Sequence, residues 1–469
     1  MARSLRSWWT DAEPWFAAVG LANTAMGTSS VLIPLMLARV LDRSVGDLGW
    51  LAALVSLMGV AGSLVWGRLS DAAHRRKPFI LASYAAVCIA HAALAFVGSF
   101  AEMLVLNMAL NLLWVANASV TVLVVIENRA EPLWEAKIGK LNQIGALGWV
   151  AGLGLGSALL AGFTALFGEV TAIRSLFLMV SSIALAAVIT AALTVPRTEA
   201  RFTARRFRGM ILAVGNFLVE RGRFSPFHLY HRLRPVQAAR RLFGFPGFRP
   251  GTRRLLASTF LSYLAFGLFG IPLPLALADR FGVAPAIVFV YFLIQHAAIV
   301  IAYPIASRRI RRLGNRRIQI FSLVGRTVIF SVVALLAASG VAVPTVVLVI
   351  AFLSYGVTWS YFQLSGVALV SRLARRENRG LALGLYNATA GVGWIVAGVG
   401  SGLIAGSLGF AASFAAGAGV LLVGLAVLST VPDPTAAAPD HVRVRWWRRR
   451  GDALAIRSRP SLPEGPSRS

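Results

Sequence analysis

The stretch NQIGALGW at positions 142–149 recurs as NATAGVGW at positions 387–394, across the midpoint of the chain. The matching residues are Trp114, Asn142, Gly148 and Trp149 in the first half and Trp359, Asn387, Gly393 and Trp394 in the second half. Each pair is separated by 245 positions, and four matches at one offset within long apolar runs indicate two copies of one membrane unit. Duplicated halves are typical of secondary transporters, whose solute site lies between the repeats near the bilayer midplane.

The composition also indicates a membrane protein. Of its 469 residues, 57% are hydrophobic, and the mean hydropathy is +0.72, so the chain has more apolar surface than a soluble domain of this size buries. Twelve stretches reach the length of about 20 residues that a helix needs to cross the hydrocarbon core. They lie near 15–40, 48–67, 78–98, 101–126, 141–165, 173–194, 254–278, 283–305, 318–339, 343–370, 380–405 and 408–430. We therefore predict an all-α membrane protein with twelve transmembrane helices in two pseudo-symmetric six-helix bundles.

The formal net charge of +28 is concentrated in alternate connections between the spans. The basic residues are Arg68, Arg75, Arg76 and Lys77 after the second span, Arg129, Lys137 and Lys140 after the fourth, Arg308, Arg309, Arg311, Arg312, Arg316 and Arg317 after the eighth, and Arg372, Arg375, Arg376 and Arg379 after the tenth. By the positive-inside rule, this pattern predicts a multi-pass protein of the cytoplasmic (inner) membrane with both termini in the cytoplasm. Because the charge follows the topology, a nucleic-acid partner is not expected.

The spans divide the chain into four segments. Residues 1–194 and 254–431 form the two bundles, 195–253 form a cytoplasmic linker, and 432–469 form a basic, partly disordered tail. Arginines flank an apolar set at i, i+3, i+4 spacing in the linker, which predicts an amphipathic helix on the anionic headgroups of membrane lipids. A short buried or disordered linker is the alternative. No cleavable signal peptide is apparent, and a single cysteine, Cys88, excludes a disulfide framework.

The connection after the second span, GRLSDAAHRRK at 67–77, is the most specific local motif. A glycine lets two helices approach closely, and an acid four positions later can pair with a cation or with a helix N-terminus. Through Gly67, Asp71, Arg75 and Arg76 the motif resembles the signature loop of the major facilitator superfamily, G-x-x-x-D-(R/K)-x-G-R-(R/K), with departures at positions 72 and 74. Together with the twelve spans and the duplication, the resemblance covers nearly all of residues 15–430. It implies the major facilitator fold, alternating access, and a role for these four residues as a conformational latch between the halves.

Polar and aromatic side chains on one face of a span are the candidates for solute contact, because a polar group that faces lipid is costly. The fourth span carries such a stripe within about 120° of helix rotation, and the tenth span carries its counterpart. The resemblance implies that the first, fourth, seventh and tenth spans line a central cavity. The candidates are Asn23, Asn107, Asn111, Trp114, Ser262, Tyr291, Gln295, Tyr355, Trp359 and Gln363. Each is equally compatible with an interhelical hydrogen bond.

No Asp or Glu falls at the middle of a span, so His91 and His296 are the candidates for coupling to a proton or another ion. Arg326 lies nine positions after Arg317, about 13 Å along a helix and close to the middle of the ninth span. Such an arginine needs an anion or several carbonyls. It is therefore either a contact for an anionic solute or a snorkelling or structurally paired arginine that reaches Glu127 or the cytoplasmic funnel. No metal-ligand cluster or nucleotide-binding loop appears, so we expect no metal, no cofactor and no enzymatic activity.

The predicted function is secondary active or facilitative transport of a small organic solute by a monomer. A cavity without acids suits a sugar, a nucleoside or another neutral to anionic metabolite better than a cationic drug. Two alternatives remain open. One is a multidrug or metabolite exporter that works as an antiporter, although the run 148–154 lacks the proline that exporters of the resembled family often show. The other is a receptor or lipid-handling protein on the same scaffold.

Overall fold

The computed structural model of the chain describes residues 12–73, 76–128, 134–196, 250–341, 343–373 and 379–432. Within these ranges the backbone forms twelve long helices. They are α1 (Phe16–Leu35), α2 (Val45–Ala73), α3 (Lys77–Leu94), α4 (Phe100–Asn128), α5 (Trp134–Phe167), α6 (Glu169–Thr194), α7 (Pro250–Gly270), α8 (Pro285–Leu313), α9 (Asn315–Ser339), α10 (Thr345–Leu373), α11 (Arg379–Leu408) and α12 (Phe410–Ser429).

Eleven of these helices, taken with their short extensions, are long and apolar enough to cross a membrane. The twelfth, α4, has 29 residues and is apolar over Phe100–Val115 in its described part. Large apolar side chains such as Ile89, Leu193 and Leu335 are more than two-thirds exposed on the outside of the bundle. Contact of such a surface with lipid tails is favourable, whereas its contact with water is costly. The prediction of an all-α, multi-pass membrane protein is confirmed.

The helices form two bundles that repeat one packing arrangement. In the first bundle, α1 packs against α5 and α6; in the second, α7 packs against α11 and α12. The pairs α2–α4 and α3–α6 likewise correspond to α8–α10 and α9–α12. The bundles meet through α2 with α11 and through α5 with α8, which are also equivalent pairs. The predicted pseudo-symmetric halves are therefore present.

The repeated stretch that defines the duplication lies at equivalent helix contacts. Gly148 of α5 packs directly on the backbone of Gly20 in α1, and Gly393 of α11 packs on the backbone of Phe260 and Leu264 in α7. A Cβ atom at either glycine would overlap main-chain atoms of the neighbouring helix. Close backbone contact of this kind stabilises helix pairs in lipid, where no hydrophobic drive brings helices together. The glycines of the repeat thus have a packing role.

Each half ends its first helix in the same irregular turn. The π-helical turn Met36–Val40 follows α1, and the π-helical turn Ala276–Arg280 follows α7. The backbone hydrogen bonds also correspond, because the amides of Leu41 and Phe281 donate to the carbonyls of Met36 and Ala276. These turns are related by an offset of 240 positions, so the 245-position register of the sequence repeat does not extend to them.

Arg39 and Asp279 occupy equivalent positions in the two turns and bind each other. The Arg39 Nη2 atom donates to Asp279 Oδ1 at 2.9 Å, and Arg39 Nε lies 3.6 Å from Glu169 Oε1 of its own half. The first of these contacts joins the two halves at equivalent points. We call this side of the molecule the Arg39 end. We call the opposite side, which carries Arg308, Arg309 and Arg312, the basic end.

Small residues extend the contact between the halves inward from the Arg39 end. Gly49 of α2 lies against Gly398 and Gly402 of α11, where an added Cβ would come within 2.6 Å of the Gly402 Cα atom. On the other flank, Ser157 of α5 donates to the carbonyl of Ala286 at the start of α8, at 2.9 Å. The two bundles are therefore closely packed at this end.

Two predicted features lie outside the described residues. The amphipathic helix expected in the linker falls within 197–249, and almost all of the basic tail falls within 433–469. Both stay predictions.

Candidate functional site

A cavity of about 280 Å³ lies at mid-depth in the second half, beside the contact with the first half. Helices α8, α10 and α11 and the end of α7 supply its walls. The lining residues are Gly270, Ile271, Leu273, Phe292, Gln295, His296, Ile299, Tyr355, Trp359 and Trp394. Aromatic rings predominate in this set, and none of its members is acidic. Four of the sequence-predicted residues, Gln295, His296, Tyr355 and Trp359, are brought together here.

The cavity also has hydrogen-bonding atoms without partners. The Gln295 Oε1 atom is buried and accepts no hydrogen bond. His296 donates from Nδ1 to the Phe292 carbonyl at 2.9 Å, which leaves Nε2 as the free ring nitrogen. Its ring stacks on Trp149 of α5 with the centroids 5.8 Å apart, and the buried Trp149 Nε1 atom has no acceptor. Because buried polar atoms are normally hydrogen-bonded, these atoms are places where a solute can bind.

Arg326 lies directly behind this cavity in a box of aromatic rings. Its side chain is fully buried, and its Cζ atom is 4.3 Å from the ring centroid of Phe266, 4.4 Å from that of Tyr355 and 5.1 Å from that of Trp359. Nη2 donates to the Tyr355 carbonyl at 3.1 Å, whereas Nε and Nη1 have no partner. The rings stabilise the cation through their negative faces. Among the described residues, no carboxylate contacts it.

The other second-half candidates are engaged within their bundle. Ser262 is buried and donates to the Ser258 carbonyl at 2.7 Å. Tyr291 is buried with its ring centroid 5.3 Å from that of Phe352. Gln363 accepts a hydrogen bond at 3.0 Å from the hydroxyl of Tyr263, a residue whose ring also contacts Trp359. Gln363 is thus connected through Tyr263 to the cavity residue Trp359, whereas Ser262 and Tyr291 contact residues that do not line the cavity.

In the first half, the candidate amides bind backbone carbonyls. Asn23 and Asn107 donate to carbonyls one turn back in their own helices, at 2.8 Å each. Asn111 donates to the Val55 carbonyl at 2.6 Å and thereby joins α4 to α2. The ring of Trp114 lies beside Tyr84, with the centroids 6.4 Å apart. Asn23, Asn111 and Trp114 remain partly exposed, so each keeps a surface that a solute can reach.

The two candidate histidines differ in their surroundings. His91 is fully buried between α3 and α1, where its ring nitrogens bond to the Val87 carbonyl and to Ser29 Oγ, both at 2.7 Å. Both nitrogens are thus used in packing the first bundle. His296 lines the cavity and keeps one nitrogen free, so it is the better placed of the two for contact with a solute or a proton.

The latch residues are described only in part. Gly67 and Asp71 belong to the last turns of α2, and Arg76 is buried immediately before α3. Arg75 and the side chain of Asp71 lie outside the described part of the chain. The latch therefore stays a prediction.

Sequence reasoning overlooked Trp394 and Trp149 as site residues, although both belong to the repeated stretch that reveals the duplication. Trp394 lines the cavity, and Trp149 carries the ring on which His296 stacks. The available signal was their position beside Gly393 and Gly148, because a helix that packs closely through a glycine must direct the following side chain toward another neighbour. The contribution of Ile271 and Leu273 could not be read from the sequence, since it depends on where α7 stops.

Two six-helix bundles that meet beside a mid-depth cavity define a membrane transporter architecture. A family comparison agrees, because the profile of the Major Facilitator Superfamily matches residues 15–247 and 255–461. The chain belongs to this superfamily, as the motif at 67–77 implied. No protein with a curated description matches it in sequence.

Solved structures of transporters share the fold at low sequence identity. A peptide-transporter (POT) family member in complex with a thioalcohol-conjugated peptide is 12% identical, with a TM-score of 0.68, and the match covers 88% of this chain and 95% of that one. The D-xylose-proton symporter is 13% identical, with a TM-score of 0.64 and coverage of 90% and 98%. The nucleoside transporter NupG is 15% identical, with a TM-score of 0.62 and coverage of 89% and 98%. At these identities the likeness concerns the fold.

Proposed function

We propose that this protein is a secondary carrier that moves a small organic solute across the cytoplasmic membrane by alternating access. The observation that carries the proposal is the aromatic cavity with unpartnered polar atoms, located beside the contact between two equivalent bundles. A solute held there contacts the second bundle directly, and the lining residue His296 stacks on Trp149 of the first bundle. Rocking of the bundles about this point exposes the solute to one side of the membrane and then to the other.

The close packing at the Arg39 end supports one further step of this proposal. With Arg39 bound to Asp279 and Gly49 packed on Gly402, the pathway is closed on that side. Transport then requires these contacts to open. The ion pair is partly exposed, with 37% and 41% of the two side chains accessible, so it contributes about 1 kcal/mol or less. A contact this weak can be broken in every cycle.

The solute class supported by the cavity is a small molecule with a flat ring or sugar face and a few polar groups. Sugars, nucleosides and related metabolites offer both, and the relatives of similar fold include carriers named for xylose and for nucleosides. The second candidate function is export of a drug or metabolite by antiport. The candidate from another functional class is a receptor that binds a solute and does not transport it.

Exchange in proteoliposomes tests the proposal. Vesicles that contain the purified protein are loaded with an isotopically labelled metabolite extract and placed in the unlabelled extract, and mass spectrometry follows which compounds exchange. A carrier exchanges a small set of compounds that protein-free vesicles retain. A receptor binds a compound and exchanges none, and that outcome would falsify the proposal.

Thiol labelling tests the orientation that the charge pattern predicts. Single cysteines replace Ser44, Val341 or Leu313 in a Cys88→Ala background, and all three positions are exposed. A membrane-impermeant maleimide should label positions 44 and 341 in intact cells, whereas position 313 should react only after permeabilisation. Labelling of position 313 alone in intact cells would show the opposite orientation.

The tryptophans at equivalent positions of the repeat provide a test of the site. Trp359→Ala should weaken binding of an exchanged solute roughly two- to tenfold, because ring stacking contributes about 0.5–1.5 kcal/mol, whereas Trp359→Phe should retain most of it. The repeat predicts the same pair of results for Trp114. Solute quenching of tryptophan fluorescence measures the affinity. If Trp359→Ala binds like the parent protein, the cavity is not the solute site.

A further inference from the structure

Arg326 is a buried cation that no carboxylate contacts among the described residues of its own bundle. Residues 250–432 contain two acidic residues, Asp279 and Glu377. Glu377 lies outside the described residues. Asp279 binds Arg39, and the adjacent Arg280 donates to the Ala337 carbonyl, which places this turn eleven residues from Arg326. Eleven residues correspond to about 17 Å along α9.

Burial of an uncompensated charge is costly, and neutral rings offset only part of that cost. The guanidinium has one hydrogen bond, to a backbone carbonyl, while its Nε and Nη1 atoms have none. Packing alone does not account for an arginine here, because an apolar side chain would fill the same space without a desolvation cost. The cation therefore has two hydrogen-bonding atoms, Nε and Nη1, for which the described part of the bundle supplies no partner.

Two rings connect this cation to the cavity. Tyr355 and Trp359 contact the guanidinium and also line the cavity, so each ring is shared between them. One negative face of each ring is turned toward Arg326, so this cation already uses part of the attraction that the rings would offer to a cationic solute. On the cavity side, a solute meets the rings backed by a full positive charge. The unpartnered Nε1–H of Trp149 adds a hydrogen-bond donor next to the lining residue His296.

We propose that the cavity binds an organic anion, namely a small molecule with a carboxylate attached to a flat apolar part, and that the charge of Arg326 selects it over the neutral analogue. This inference rests on the proposed carrier function and specifies the solute class. The guanidinium lies 4.4 Å from the centroid of the Tyr355 ring. An anion on the other side of that ring is therefore at roughly twice this distance from the guanidinium. With an effective dielectric constant near 20, attraction over that distance favours the anion about tenfold or more.

Matched pairs of ligands test the selection directly. The probes are benzoate and benzamide, nicotinate and nicotinamide, and indole-3-acetate and indole-3-acetamide, which differ within each pair mainly in charge. Quenching of tryptophan fluorescence gives the affinity of each probe for the full-length protein in detergent. For the pair that binds best, the carboxylate should bind at least about tenfold more tightly than the amide, which corresponds to about 1.4 kcal/mol.

Three variants separate a charge effect from a structural one. Arg326→Gln should reduce the ratio of carboxylate affinity to amide affinity to about one. Arg326→Lys should keep most of this preference. Arg254→Gln removes the same charge from the same bundle at an exposed site on the basic end, where Arg254 donates to the Thr430 carbonyl, and should leave the ratio unchanged. If Arg326→Gln does not fold, the affinity ratios of the parent protein and of Arg326→Lys still test whether the cavity prefers the carboxylate.

Equal or tighter binding of the amides, or no binding by any probe, overturns the proposal. An unchanged ratio in folded Arg326→Gln does so as well. The carrier function fails separately. If proteoliposomes exchange a neutral sugar or nucleoside but no carboxylate, the carrier stands and the anion selection does not. If nothing exchanges while the carboxylate still binds more tightly than the amide, the anion selection stands and the carrier function does not.

Discussion

A reversible cross-link between positions 39 and 279 is expected to abolish solute exchange almost completely. Arg39 and Asp279 are equivalent residues of the two halves, and their side chains meet at 2.9 Å between the two bundles. In an Arg39→Cys, Asp279→Cys, Cys88→Ala protein, a bis-methanethiosulfonate reagent spans the gap that the two side chains filled. Because the covalent tether prevents the Arg39 end from opening, only one of the two alternating states remains populated.

The measurement is exchange in proteoliposomes before cross-linking, after cross-linking and after reduction. Exchange should fall at least about tenfold and return when a reductant cleaves the tether, since a tethered state cannot contribute to the population that opens. Each single-cysteine variant treated with the same reagent is the matched control and should keep its activity. Retention of most of the exchange by the tethered protein would show that solute does not pass through this end.

Replacement of Gly152 by alanine is expected to destabilise the protein, whereas the same change at Gly162 is expected to stabilise it. Both glycines lie in α5. A Cβ atom at Gly152 would overlap the Thr24 carbonyl oxygen of α1. The main chain fixes the position of both atoms, so a change of side-chain rotamer cannot relieve the overlap. Overpacking of this kind typically costs about 1–3 kcal/mol.

At Gly162 an added Cβ atom meets nothing within 4 Å. Alanine there gains helix propensity, about 0.5–1 kcal/mol over glycine, without a clash. Thermal unfolding of the two variants in detergent should therefore shift in opposite directions from the parent protein. A Gly152→Ala protein that unfolds at the same temperature as the parent protein, or at a higher one, would show that α1 and α5 are not in close backbone contact. Thr28 Oγ1, which donates to the Gly152 carbonyl at 2.7 Å, should lose this bond in the Gly152 variant.

Much of the fold followed from the sequence because the membrane imposes it. Lipid provides no hydrogen-bond partners, so every apolar run of sufficient length must form a helix, and its length can be read directly. The duplication was equally visible, because Gly148 and Gly393 meet the same packing requirement in each half. The polar faces of α8 and α10 also predicted Gln295, Tyr355 and Trp359, since a polar group in a span must turn away from lipid. His296 was predicted separately, as one of two histidines within spans that have no acid at their middle.

The contact between the halves could not be read in the same way. Arg39 and Asp279 are 240 positions apart, whereas the sequence repeat has an offset of 245, and each residue by itself resembles an ordinary charge at the end of a span. Their pairing depends on two π-helical turns and on how the bundles face each other. Both are properties of the packed molecule, and no local pattern encodes them.

The sequence by itself determined twelve membrane helices, two repeated bundles and the position of Arg326 near the middle of its helix. Only the tertiary structure decided what surrounds that arginine. Helical periodicity gives the height of a side chain along the axis, but the rotation of α9 against α7 and α10 sets whether it meets lipid, water or rings. That rotation is fixed by packing between residues distant in sequence, and it turned Arg326 toward Phe266, Tyr355 and Trp359, behind the wall of the cavity.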